Sequence, residues 1–202
     1  MASVVDICNT ALGHVANSAE LVSIDPPDGS AEADHCARYY PMARDECLAA
    51  FPWSFAIARE YLAELQDNPM VNIWGFAYQL PNALLRPLAV LQPGATNDSE
   101  ARSYLIETAA DGSQLLYTNV EAAILKYIYR QEDTAKFTPL FTVALATNLA
   151  SYLAGPLVKD IKLKQGLKAQ ALRELNEAAA RDTSQKVDFH KYFVPGHIAV
   201  RG

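Results

Sequence analysis

One long amphipathic helix is predicted over residues 30–53, SAEADHCARYYPMARDECLAAFPW, and we expect the rest of the fold to be organised around it. Apolar side chains recur there at alternating steps of three and four residues, the spacing that aligns them along one helix face. Ser30 suits the N-cap, and acidic residues occupy the first turn, where the helix dipole favours negative charge. Pro52 disfavours helical geometry at Phe51, so the helix should end there. The predicted apolar face consists of Ala33, Cys36, Ala37, Tyr40, Ala43, Cys47, Leu48 and Phe51.

The same helix carries an internal proline and a polar face. Pro41 removes one backbone donor from the helix interior, which predicts a kink. Four charged residues fall largely off the apolar stripe and are expected to meet water, namely Asp34, Arg38, Arg44 and Asp45. Asp45 and Glu46 could form a carboxylate pair, but adjacent residues diverge by about 100° around a helix. We therefore interpret them as part of a solvated face.

Composition and charge disfavour several classes of protein. The 202 residues are half hydrophobic and one-fifth charged, enough for one sizeable core or a core with a smaller satellite domain. No apolar run approaches the ~20 residues of a membrane-spanning helix, and the N-terminus lacks a signal peptide's basic region. We expect a soluble protein that stays where it is made.

The formal net charge of −6 argues against a nucleic-acid binder, because such proteins gain affinity by neutralising phosphates with clustered Lys and Arg. An acidic surface would still let DNA pass without binding it, and composition is compatible with both cases. One dense basic cluster is interpreted as a solvated helix face. Its members are Lys159, Lys162, Lys164 and Lys168.

Three further helices are predicted by the same periodicity. The first covers residues 3–17, unless Gly13 ends it earlier, and begins with Ser3 and Asp6 as a capping box. The turn at residues 26–29 leads from it into the long helix. Thr138 and Pro139 begin another helix that should end at Gly155-Pro156. The last covers about residues 157–182, with its apolar side formed by Ile161, Leu167, Ala171, Leu175 and Ala178.

Between the helices the period changes to two, which predicts a small antiparallel sheet of four to five strands. Residues 55–59 favour a strand, although the following AREYLAEL could equally be helical. Pro87 indicates an edge strand or a strand start. Residues 109–113 form a hairpin-type turn. Apart from this ambiguous segment, strands are predicted at residues 73–80, 86–91, 103–108, 114–118 and 123–130.

These elements predict an α+β protein, in which a bundle of about four helices carries an inserted small antiparallel β domain and an extended C-terminal arm. The bundle comprises residues 1–53 and 131–183, the β insertion residues 54–130, and the arm residues 184–202. The arm has aromatic residues but no helical or strand period. It either packs on its own body or docks onto a partner.

Residues that could carry chemistry form no catalytic, cofactor or metal motif, so we expect no enzyme, no cofactor and no metal site. The three cysteines, Cys8, Cys36 and Cys47, have no metal-binding spacing and fall on predicted apolar faces, which favours reduced packing residues. Trp53 and Trp74 are interpreted as core or domain-junction packing. The four histidines, His14, His35, His190 and His197, are scattered.

Four stretches in a fixed order carry a family signal. They are DICNTALGHV at residues 6–15; YPMARD at residues 40–45 closed by FPWSF at 51–55; AYQLP at 77–81; and PLF at 139–141, opening a helix that is followed by an Ala-rich helix ending in ARD at 180–182. In order and spacing they resemble the tail tubular protein A family of short-tailed bacteriophages, the head-to-tail adaptor or gatekeeper proteins beneath the portal. The resemblance covers nearly the whole chain.

The resemblance implies a structural, non-enzymatic subunit of the virion tail, assembled in the host cytoplasm. Family members form a ring, typically a dodecamer, between the portal protein above and the tail nozzle (tubular protein B-like) protein below. The ring extends the DNA ejection channel, and DNA passes through it without specific binding or any membrane contact. We expect the arm to bind the portal or a neighbouring subunit through Phe189, Tyr192, Phe193 and Val194.

Two other functions remain open from sequence. One is a soluble interaction module of a prophage or host that forms no ring. The other is an enzyme or small-molecule binder with a cleft between bundle and sheet, which a ligand pocket with a perturbed titratable group would support.

Overall fold

Four α-helices and two small antiparallel sheets form the part of the chain described by the computed structural model, residues 2–184. The predicted α+β class is confirmed. The arm predicted from residue 184 onward lies, beyond Ser184, outside the described residues. The helices are α1 (Val4–His14), α2 (Ala31–Ala50), α3 (Pro139–Leu153) and α4 (Ile161–Ser184).

The predicted starts of α1, α2 and α3 are confirmed by their capping hydrogen bonds. At α1, the Ser3 hydroxyl accepts from the Asp6 N–H (3.1 Å), and the Asp6 carboxylate accepts from the Ser3 N–H (2.8 Å). The Ser30 hydroxyl accepts from a backbone N–H of the first turn of α2 (3.1 Å). The Thr138 hydroxyl does the same for α3, which begins with Pro139. These bonds satisfy N–H groups that a helix start leaves without partners.

The helix ends agree less well with prediction. Helix α2 runs through Pro41 and stops before Pro52 as expected, whereas α1 ends at His14 rather than residue 17. Gly155 and Pro156 do not end the helical run, because a π-helical turn, Ala154–Val158, continues it. The chain then reverses at Lys159, whose φ of +57° is left-handed, and α4 begins only at Ile161.

Helix α3 is the centre of the bundle. It packs against α1, α2 and α4, and most of its residues are buried. The segment Pro139–Val158 is long and apolar enough to cross a membrane, so the expectation that no apolar run approaches that length was wrong. In this structure 61% of an apolar 18-residue stretch within the segment is buried, as in a core helix packed among others.

The bundle core joins residues from both ends of the described chain. Side chains of α1 and α2 share one cluster with side chains of α3 and α4. On α4, the predicted inward positions Leu167, Ala171, Leu175 and Ala178 are buried, but Ile161 is 72% exposed. Ile161 was wrongly predicted to face the core: it is the first residue of α4, two residues after the left-handed Lys159, and the bundle core contacts α4 only from Leu163 onward.

The β segment forms two sheets instead of the single predicted sheet. The seven strands in the described residues are β1 (Ile57–Tyr61), β2 (Ala63–Glu64), β3 (Phe76–Gln79), β4 (Leu84–Leu91), β5 (Tyr104–Thr108), β6 (Gln114–Thr118) and β7 (Ile124–Tyr129). Their orders are β1-β7-β4 and β2-β3-β6-β5, antiparallel throughout. The AREYLAEL segment is therefore strand, and Pro87 lies on an edge strand as predicted.

A second core lies between the two sheets. It joins Tyr78 and Leu116 of one sheet with Val90 and Leu125 of the other, and all four are fully buried. The Tyr78 hydroxyl donates to the Val120 carbonyl (2.8 Å), which satisfies the one polar group that this tyrosine brings into the core. All seven strands fall between Ile57 and Tyr129, inside the predicted insertion.

Candidate functional site

An open groove of about 660 Å³ crosses the bundle at the middle of α2. Its polar residues include Asp25, Arg44 and Glu132. The YPMARD stretch at residues 40–45, one of the four that carry the family resemblance, contributes three of the lining residues, and we call this site the motif groove. The apolar part of its lining is Val4, Val5, Ile24, Pro27, Ala37 and Pro41.

Arg44 does not meet water as predicted but is 7% exposed. Its Nε donates to Asp45 Oδ1 (2.9 Å), and its guanidinium lies 3.3 Å from Glu132 Oε1. Asp45 Oδ2 also accepts from Arg130 Nε (2.8 Å). Arg130 and Glu132 follow β7, so these ion pairs, here called the Arg44 network, tie α2 to the exit of the β insertion.

The neighbouring carboxylate, Glu46, joins α2 to the other two long helices. It accepts hydrogen bonds from Lys168 Nζ (2.6 Å), the Tyr152 hydroxyl (2.9 Å) and Asn148 Nδ2 (3.0 Å). Burial raises the pKa of Glu46, but these three donors outweigh it and hold the pKa below its usual range. Asp45 and Glu46 thus belong to two separate polar clusters. Glu46 is exposed, as predicted for a solvated face, whereas Asp45 is half-buried.

Tyr40 lines the motif groove from the helix core. It is 4% exposed, and its hydroxyl has no hydrogen-bond partner among the described residues. Burial raises the pKa of Tyr40 to about 12, so the phenol stays neutral at physiological pH. The Arg44 guanidinium carbon lies 6.0 Å from the ring centroid, at the edge of the range for a cation–π contact.

The cysteines are buried free thiols, and their predicted packing role is confirmed. A hydrogen bond with Cys36, together with burial, raises the pKa of the Cys8 thiol. Burial raises the pKa of Cys47 to about 12. The raised pKa makes Cys8 and Cys47 poor nucleophiles, because the thiolate is the reactive form.

The two tryptophans occupy different environments. Trp53 is fully buried, donates from Nε1 to the Cys47 carbonyl (2.9 Å) and packs edge-to-face on Phe141. This confirms the predicted packing role of Trp53. Trp74 is half-buried and lines an open depression of about 700 Å³ on the β insertion, beside Arg102.

No cluster in residues 2–184 brings together three or more His, Cys, Asp or Glu side chains that could hold a metal ion. Of the histidines, His14 is exposed, and His35 is half-buried and stacks on Tyr39 with 6.2 Å between ring centroids. Of the charged side chains that line the motif groove, Arg44 and Glu132 pair with each other, and Arg44 also pairs with Asp45.

The predicted partner-binding residues Phe189, Tyr192, Phe193 and Val194 lie outside the described residues. Near the end of the described residues, Asp182 on α4 is 2% exposed. The Asp182 carboxylate accepts from the Ser54 N–H (3.0 Å) and from the Ser54 hydroxyl (2.6 Å). The end of α4 is therefore fixed at the entry to the β insertion.

Sequence reasoning missed the roles of Arg44, Glu132 and Asp182. The spacing of Tyr40 and Arg44 by four residues placed both on one helix face and was a usable signal. The contacts with Glu132 and Ser54 had no such signal, because the partners are 88 and 128 residues apart in sequence.

No protein-family model matches the chain, and no curated protein matches it significantly in sequence. The resemblance to the tail tubular protein A family therefore stays a prediction carried by the four quoted stretches.

Proposed function

We propose that this chain is a head-to-tail adaptor subunit of a short-tailed bacteriophage. In this proposal it forms a ring, typically a dodecamer, between the portal protein and the tail nozzle protein, and DNA passes through the ring during ejection. The subunit is structural rather than enzymatic. It is assembled in the host cytoplasm and resides in the virion tail.

The observation that carries the proposal is the place of the YPMARD stretch. Its Arg44 and Asp45 join the bundle to the β insertion through ion pairs with Glu132 and Arg130, and the same stretch lines an open apolar groove. A stretch that both joins the bundle to the β insertion and lines a groove suits a subunit whose two parts must stay in a fixed orientation while it binds other proteins.

The charge of the chain supports a conduit for DNA. A net charge of −6 disfavours tight binding of phosphates, and bound phosphates would slow the passage of DNA. An acidic channel surface would therefore face the DNA without binding it tightly.

The test uses the full chain with the portal protein encoded by the same phage. Mass photometry of the chain alone should give the 22.1 kDa subunit, and addition of portal rings should give complexes in which negative-stain images show an added ring. We expect the isolated protein to stay monomeric, because it shows no strict heptad run that favours self-sufficient oligomers.

The predicted arm supplies a second set of samples. Removal of residues 184–202, or replacement of Phe189, Tyr192, Phe193 and Val194 by Ala, should abolish portal binding and leave the melting temperature nearly unchanged. The control is Val22→Ala, at a position 83% exposed on the body. Portal rings that never acquire additional mass with the full chain would contradict the proposal.

A further inference from the structure

An exposed apolar patch with basic side chains lies where α4 begins. Ile161 is 72% exposed and Val158 is 41% exposed, and Lys159, Lys162 and Lys164 flank them in sequence. The left-handed backbone at Lys159 turns the chain sharply between the two aliphatic side chains. We call these five residues the basic knob.

A groove of opposite charge lies on the β insertion. It has a volume of about 430 Å³, and its lining includes Glu64, Asp67, Val71 and Phe76. Val71 is 64% exposed, and Ile73, two residues further along the same loop, is 66% exposed. We call these five residues the acidic groove.

Neither patch is neutralised within the described chain. Other charged side chains find partners there: Lys168 pairs with Glu46, and Arg59 and Lys126 pair with Asp98. In contrast, no residue from 2 to 184 forms an ion pair with the three lysines of the basic knob or with Glu64 and Asp67. Asp160 lies among the three lysines and accepts from the N–H groups of Lys162 and Leu163, so the positive charge of the knob is partly offset. Exposed apolar patches rimmed by polar residues mark sites of protein interaction.

We propose that the basic knob of one copy binds the acidic groove of the next copy. Ile161 and Val158 supply the apolar contact, and the lysines face Glu64 and Asp67. This inference rests on the proposed ring function and names the contact between its subunits. A second copy is the occupant that charge complementarity favours, because one chain carries both an exposed aliphatic patch with basic residues and an open groove with acidic residues.

The geometry of such a contact is head-to-tail. The two surfaces differ, so each copy offers one unused knob and one unused groove until the assembly closes, which is how heterologous contacts generate rings. The rim charges would steer encounter and set the register, and the buried aliphatic side chains would slow dissociation.

Charge reversal on the two sides gives a test with internal rescue. Variant one carries Lys162→Glu and Lys164→Glu, and variant two carries Glu64→Lys and Asp67→Lys. Each is the full chain, assembled on portal rings and measured by mass photometry. We expect each variant alone to lose ring assembly by at least about tenfold, because like charges then meet at every contact.

Mixing the two variants should restore assembly. Every acidic knob of variant one then finds a basic groove on variant two, and every basic knob of variant two finds an acidic groove on variant one, so the copies alternate. The four substitutions combined in one chain should also assemble. A control with the same charge change as variant one, Arg38→Glu with Lys136→Glu at two exposed positions, should assemble like the unmodified chain.

The apolar part is tested separately. Ile161→Ala should weaken ring assembly, whereas Leu172→Ala, at a position 61% exposed on α4 outside the knob, should not. Circular dichroism and melting temperature confirm that each variant is folded.

Three results would overturn the inference while leaving the proposed function in place. They are normal assembly of both single-side variants, loss without rescue in the mixture, and equal effects of the Ile161 and Leu172 substitutions. Failure of the unmodified chain to form any ring on the portal would instead overturn the proposed function.

Discussion

The hydrogen bonds between Asp182 and Ser54 give a direct test of what holds the end of α4 to the entry of the β insertion. Asp182→Ala removes a carboxylate that accepts at 3.0 Å from the Ser54 N–H and at 2.6 Å from its hydroxyl. Hydrogen bonds to a charged group contribute about 1.5–3 kcal/mol each. Ser54 is exposed, so hydrogen bonds to water replace part of the lost stabilisation. Removal of a negative charge near the C-terminus of α4 stabilises the helix by about 0.3–1 kcal/mol. We expect a net loss of about 2 kcal/mol in the free energy of unfolding.

Urea unfolding followed by circular dichroism measures this loss as a lower midpoint at an unchanged slope. Asp182→Asn keeps one acceptor oxygen and should lose about half as much. Ser54→Ala removes only the hydroxyl, and the double variant gives the coupling energy between the two side chains. Thr183→Ala is the neighbouring control and should stay within about 0.5 kcal/mol. If Asp182→Ala is no less stable than Thr183→Ala, the buried carboxylate does not hold α4 to the β insertion.

Two further predictions concern α2. Arg44→Met should lower the free energy of unfolding, measured by urea unfolding, by about 2 kcal/mol, because its guanidinium is buried and ion-paired. Arg130→Met, at a side chain 42% exposed, should lower it by less than about 1 kcal/mol. Equal losses for the two variants would contradict the different burial of the two arginines. The lowered pKa of Glu46 contributes stability that is present above its unfolded pKa, about 4.3, and disappears as pH falls through the lower folded value. Glu46→Gln should therefore lower the melting temperature at pH 7 and reduce the difference between pH 7 and pH 3, and an unchanged difference would show that the three donors do not stabilise the charged carboxylate.

The helices were predictable from sequence because their determinants are local. Ser30, Thr138 and the Ser3–Asp6 pair bond to backbone within the same turn, and the resulting caps match the expected starts. The end of α3 was not predictable in the same way. Gly155 and Pro156 are strong termination signals, yet a π-helical turn accommodates them and carries the chain to Lys159 before α4 begins.

The β insertion was predictable as strand but not as two sheets. Strand β7 is the middle strand of one sheet and has partners 67 and about 40 residues earlier in sequence, so neither local period nor turn type fixes its neighbours. The hairpin of β5 and β6 is the exception, because the turn at residues 109–113 defines that pair. Short strands with mixed burial give the weakest sequence signal.

The motif groove was also predictable from sequence only in part. Tyr40 and Arg44 were visible in the sequence as residues four apart on one helix, but the apolar stripe alone predicted the arginine to face solvent. Its burial depends on Glu132 and Asp45 being present to pair with it, and only the folded chain brings Glu132 there. Buried charge requires such pairing, so a charged residue beside an aromatic on a core helix should be read together with possible distant partners.

The contacts that hold the β insertion to the bundle would also affect the shape of a ring in which the basic knob binds the acidic groove. The basic knob lies where α4 begins, and the acidic groove lies on the β insertion, so the angle between successive copies depends on how the insertion is held to the bundle. The Arg44 network and the Asp182–Ser54 hydrogen bonds hold it at its exit and at its entry. A head-to-tail contact closes a ring only when this angle divides the full turn into whole copies, and otherwise it continues as an open chain. Loosening either tie should therefore impair ring closure at a cost in stability too small to unfold the subunit.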